Sequence, residues 1–255
     1  MAGKLKLLLQ NQRLALLLKA LVFGVFFAWT YPPGSSLMRG GIFVFTALIL
    51  YIKPFFNILS LSRSFLALTA LSLIFSAAGL SKEGVASPPS GATWATLLIF
   101  VHAILFFIIL GLKEFVLVHR LFWHEALFAV LSYETIVIYS ITAAAHPAAA
   151  SIFLIAVIVA LLSELVSRET DVPPRRAFLA GAVLGLMILT GLWVAKLLPL
   201  GFLNVSNLTA LGALFFTEML LRFYNNKLTK TILISRVIVF ALLAAFIFLT
   251  SRWYL

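Results

Sequence analysis

Apolar positions in this chain run on without interruption, instead of alternating with polar ones or recurring once per helical turn. Nine such stretches, at residues 14–30, 41–52, 65–80, 94–112, 121–145, 148–166, 177–198, 207–223 and 232–250, take up most of the sequence. A bilayer's hydrocarbon core needs about 20 helical residues to cross, with about 17 tolerated. In hydrocarbon no water satisfies the backbone, so each stretch must hydrogen-bond within itself and is predicted to be an α-helix. The fold class that follows is all-α: a polytopic transmembrane helical bundle of about nine spans.

The second stretch is short if it stops at Lys53-Pro54. Either the helix kinks there and runs on to Leu61, or residues 54–61 lie along the interface. Residues 1–13, with Lys4, Lys6 and Arg13, read as a basic lead-in at the headgroup level. No small-residue cleavage motif follows, so the first stretch reads as an uncleaved helix. Residues 14–255 then form a single multi-pass domain. Its outer loops hold the breakers: Pro32-Pro33-Gly34, Pro88-Pro89, His146-Pro147 and the segment from Pro199 to Asn207.

Charge gives the orientation. With a cytoplasmic N-terminus and nine crossings, only Arg39, Lys82, Lys196 and Arg252 of the 19 basic residues fall outside. The other 15 lie inside, the bias expected of short cytoplasmic loops. A missed or false helix would reverse the alternation beyond it, and no reversal is seen. The chain is therefore placed in a cell membrane, inner or plasma, with the lipid bilayer as its constant partner. Lys19, Lys196 and Arg236 fall within spans near their ends, where long stems can snorkel.

Composition agrees. Hydrophobic residues make up 63% of the chain and charged ones 11%, with a mean hydropathy of +1.14. A soluble domain carries roughly 25% charged residues. The net charge of +11 is spread over many loops with no basic stripe or aromatic platform, which argues against nucleic acid. The absence of cysteine excludes disulfides, thiolate catalysis and cysteine-held metals. The sole aspartate, Asp171, removes Asp-rich diphosphate–magnesium motifs, and no P-loop, GxGxxG or GxSxG occurs. No cofactor and no metal site is expected.

Chemistry is confined to a few ionisable groups. Glu134 lies 14 positions beyond Arg120, roughly 20 Å from the inner interface at helical rise. An ionised carboxylate at such depth costs on the order of 3 kcal/mol, so it should face the bundle, be protonated or have a partner. His102 lies at similar depth in the preceding antiparallel span. The two form a candidate midplane relay for protons or cations; the plainer reading is a hydrogen-bonded pair that fixes packing. Nine residues, about 900° of helix, set Glu125 on the face opposite Glu134. His124-Glu125 is not part of an HExxH motif, since Phe128 stands where the second histidine would be.

Three even-numbered spans end alike on the inner side, with Glu114, Glu164 and Glu218 at spacings of 50 and 54 residues. Glu164 is followed by Arg168 and Glu218 by Arg222, the favoured i,i+4 order of a helical ion pair. They are candidate inner gate residues of an internal repeat, or interfacial anchors. Gly181 and Gly185 make a GxxxG that marks close helix packing. Asn204-Val205-Ser206 and Asn207-Leu208-Thr209 match the N-glycosylation pattern on the outer side.

Three functions fit. The first is a small-solute or proton-coupled permease working through Glu134 and His102. The second is a non-catalytic membrane subunit or scaffold, with a membrane-protein partner or a second copy of itself. The third is an enzyme on lipid-linked substrates, using a groove at His119, His124 and Glu125. Catalysis is the least supported of the three, because so few reactive groups are available.

Overall fold

A computed structural model describes residues 12–30, 37–52, 62–77, 90–114, 117, 119–143, 145–198 and 200–251. The basic lead-in, the segment around Pro54 and most of the loops at 31–36 and 78–89 lie outside the described residues. Nine helices are present among those described: α1 (Gln12–Thr30), α2 (Leu37–Tyr51), α3 (Arg63–Ala77), α4 (Ser90–Lys113), α5 (Arg120–Thr142), α6 (Pro147–Glu169), α7 (Pro174–Ala195), α8 (Phe202–Tyr224) and α9 (Lys230–Thr250). The described residues contain no strand. The protein is all-α and multi-pass.

Six helices, α1, α4, α5, α6, α7 and α9, are long and apolar enough to cross a membrane. α2 and α3 are apolar but have only 15 residues each, about 22 Å of rise against about 30 Å of hydrocarbon. α8 has 23 residues. It carries Asn204, Ser206, Asn207 and Thr209 near its start and Glu218 and Arg222 near its end, which keep it out of the apolar set. Hydroxyls inside these helices bond back to their own turn, as Thr69 does to the Phe65 carbonyl and Thr217 to the Ala213 carbonyl. That is how a serine or threonine is tolerated where water is absent.

The chain divides into two units, residues up to Trp123 and residues from His124 onward. The core of the first, built by α1–α4, is aromatic. Phe23 stacks on Phe106 with centroids 4.3 Å apart, and Phe43, Phe27 and Phe65 close around them. Gly24 lets α1 approach α4 closely: a Cβ there would stand 3.2 Å from the Ala103 Cβ. Two polar contacts tie helix ends together. Ser76 Oγ donates to the Thr30 carbonyl at 2.7 Å, and Lys113 Nζ donates to the Tyr51 carbonyl at 2.7 Å while lying 3.8 Å from that ring's centroid. A cation on the last carbonyl of α2 satisfies an acceptor that the helix leaves open.

The second unit holds α5–α9. α6 and α7 form its tightest seam. A Cβ on Gly181 would lie 3.0 Å from the Val159 Cα, and one on Gly185 would lie 3.4 Å from the Ile155 Cα. α8 packs on α7, and α9 on α8. Eleven residues of α6 are buried, whereas α9 has none. Pro147 and Pro174 open α6 and α7 at the position where a missing N–H costs nothing.

Candidate functional site

Of the two midplane candidates, His102 belongs to the first unit and Glu134 to the second. His102 is wholly buried on α4. Its ring lies 4.9 Å from Phe27 and meets Phe75 edge-on at 5.7 Å. Nδ1 lies 2.9 Å from the Leu98 carbonyl. A carbonyl only accepts, so that contact makes Nδ1 the protonated nitrogen. The ring is thereby oriented by its own helix and enclosed by aromatic neighbours.

Glu134 sits midway along α5 and is 8% exposed. Ser132 and Thr135 beside it are buried too; Thr135 donates to the Leu131 carbonyl at 2.6 Å. Toward its C-terminal end α5 presents a polar seam to α7 and α8. Tyr133 Oη donates to Asn207 Oδ1 at 3.0 Å, and Ser140 and Ser206 share a hydrogen bond at 3.1 Å. Trp193 Nε1 donates to Tyr139 Oη at 3.0 Å, and the Lys196 ammonium lies 4.9 Å from the Tyr139 ring centroid.

This seam corrects the start of the eighth helix, expected at residue 207. α8 begins at Phe202, so both glycosylation-pattern triplets are helical rather than part of a loop. The Ser206 and Thr209 hydroxyls bond to the Phe202 and Val205 carbonyls, and Asn207 is taken by Tyr133. The helix starts early because Gly201 supplies an extended N-cap and its carbonyl accepts from the Asn204 and Val205 amides.

At the opposite end of this unit the acidic and basic side chains gather. Arg168 reaches Glu164 Oε1 with Nε at 3.1 Å and Nη2 at 2.9 Å. Arg222 reaches Glu218 Oε1 in the same manner, at 2.9 and 2.7 Å. α6 and α8 thus carry the same two-donor clasp at corresponding ends. Glu114, the third residue of the sequence pattern, follows α4 in the first unit, where its amide donates to the Leu110 carbonyl. The sequence showed no sign of the partner brought by α9: Arg236 Nε lies 3.0 Å from Glu218 Oε1, so one carboxylate serves two guanidinium groups on two helices. Glu125 lies within electrostatic reach of Glu218, Arg222 and Glu169. No spacing rule could have found Arg236, since it comes from the turn that folds α9 back along α8.

His119 precedes α5 in a left-handed backbone conformation, with φ of 60°, and its side chain is exposed. Glu125 is exposed one turn into α5. In the second unit an apolar groove of about 380 Å³ runs between α7 and α8, bounded by Phe240 of α9; Gly191 and Gly212 line it and no ionisable group does. Among the described residues no three His, Asp or Glu side chains gather as metal ligands would.

The chain matches no family model, no curated protein and no solved structure. The functional reading therefore rests on the residues themselves.

Proposed function

We propose that this protein is a proton-coupled permease for a small solute in the cytoplasmic membrane, with its N-terminus inside and Glu134 as the group that takes up and releases the proton. The burial of that carboxyl within a membrane-crossing helix carries the reading. An intramembrane carboxylate is costly, and such groups characteristically mark ion and proton pathways. The seam of Tyr133, Ser140, Ser206 and Asn207 supports it, because it supplies hydroxyl and amide groups on the same helix and its neighbour. The clasps at Glu164 and Glu218 are assigned to an inner gate that opens when a carboxylate exchanges arginine partners. His102 enters as the second titratable group, in the other unit.

The test is Glu134→Gln in proteoliposomes, screened against small neutral, cationic and amino-acid solutes under an imposed pH gradient. Gradient-driven accumulation should fall to background while the protein still elutes as a folded species. Undiminished uptake with the same pH dependence would overturn the proposal.

A second reading, a membrane subunit without transport of its own, draws on α9. A helix with no buried residue, packed on α8 along one side, offers most of its surface to lipid or to another protein. A stoichiometric membrane partner that protects α9 from labelling would favour it.

A further inference from the structure

The basic residues at the ends of the second unit's helices fall into two kinds. Arg168, Arg222 and Arg236 spend their charge on Glu164 and Glu218. Arg175 and Arg176, in the first turn of α7, are exposed and make no ion pair among the described residues. The acidic residue just before them, Asp171, is itself exposed in the turn leading to the helix. Two adjacent guanidinium groups are thus left at the end of a membrane-crossing helix without a counter-charge among the described residues.

The same helix continues from them as an apolar face. Leu179, Val183, Leu186 and Met187 are all exposed. At about 100° per residue they fall with Arg175 and Arg176 inside one sector of roughly 120°. From Arg175 to Met187 the helix rises roughly 18 Å, close to the depth of one leaflet, about half of a 30 Å hydrocarbon core. Cations at the headgroup level and a one-leaflet apolar strip below them complement both parts of one molecule.

We infer that this face of α7 binds an anionic phospholipid of the leaflet in which α7 begins, its phosphate held between Arg175 and Arg176 and an acyl chain lying along Leu179, Val183 and Leu186. Guanidinium groups meet phosphate oxygens in a two-donor geometry that an ammonium cannot offer. The paired arginines are excluded from this role because their donors already face carboxylate oxygens.

The protein in nanodiscs of phosphatidylcholine doped with phosphatidylglycerol, released and weighed by native mass spectrometry, tests the assignment. The wild type should retain phosphatidylglycerol in preference to phosphatidylcholine. Replacing both Arg175 and Arg176 with Gln should lower that preference roughly thirtyfold, the product of two basic contacts near an anionic surface. Arg168→Gln should leave it unchanged. If the Arg175/Arg176 double variant fails to fold, Leu186→Trp, which crowds the apolar strip and leaves both arginines in place, takes over as the test and should displace the retained lipid. Equal preference in wild type and double variant overturns the inference, as does displacement of the retained phosphatidylglycerol by inorganic phosphate alone. A wild-type dimer lost in Leu186→Trp also overturns it, because the face would then belong to a second copy of the chain.

Discussion

α6 and α9 read almost alike as strings of letters. They have 23 and 21 residues, both are mostly apolar with a few charged residues towards one end, and both qualify as membrane-crossing. Yet α6 is the most enclosed helix of its unit and α9 has no buried residue. The difference lies on the partner helix. α7 presents Gly181 and Gly185 to α6, so two backbones meet and the side chains of α6 are drawn in around them. Among the described residues α9 packs chiefly on α8, through the Phe215–Phe240 ring contact and the Arg236–Glu218 pair. Lipid tails are as apolar as leucine, so hydrophobicity sends a helix into the membrane and close packing alone decides whether protein surrounds it there.

The largest test of that contrast strikes the seam. Gly181→Val forces a branched side chain against the Val159 backbone, which has no rotamer to escape into. A loss of about 3 kcal/mol is expected, read as a lower unfolding midpoint in mild detergent or as failure to accumulate. Gly191→Val on the same helix should cost almost nothing, since a Cβ there meets nothing within 4 Å. Next comes a pair of truncations that differ only in surroundings. Leu162→Ala, at a site with no exposure, should cost about 2 kcal/mol by the same assay. Leu242→Ala, two-thirds exposed on α9, should be indistinguishable from wild type. If the two cost the same, the distinction between the helices fails.

The smallest effect concerns the tether. Arg236→Leu leaves Glu218 with Arg222, and both members of the lost pair are more than a third exposed. The stability change should stay at about 0.5 kcal/mol and shrink further in salt. The informative readout is labelling or proteolysis at the turn between α8 and α9, which should quicken if Arg236 holds the helix in place.

Glu134 shows how far sequence reasoning reaches and where it stops. Its distance from Arg120 along one helix was enough to expect it midway along a crossing helix, because helical rise is constant. The half-turn between Glu125 and Glu134 likewise agrees with one being exposed and the other buried. Which side chains surround Glu134 could not be read, since neighbours on other helices depend on crossing angle and rotation. The same limit hid the link between Tyr133 and Asn207, 74 residues apart. It also explains why α8 starts at 202 and not at 207: polar residues such as Asn204 and Ser206 look like a loop until a neighbouring helix supplies their partners.

The sequence by itself determined the all-α class, the apolar character of the crossing helices and, among the described residues, the nine helices and their limits to within five residues. Those follow from one requirement, that every backbone amide in hydrocarbon be satisfied within its own segment. It also determined the clasps at Glu164 and Glu218, since i,i+4 geometry is internal to a helix. Only the tertiary structure decided which helices are enclosed, that Glu218 answers to Arg236 as well as Arg222, and that Arg175 and Arg176 are left without an acidic partner among the described residues. Contacts between helices depend on how two surfaces interlock, and a single helix's pattern does not specify the surface that will meet it.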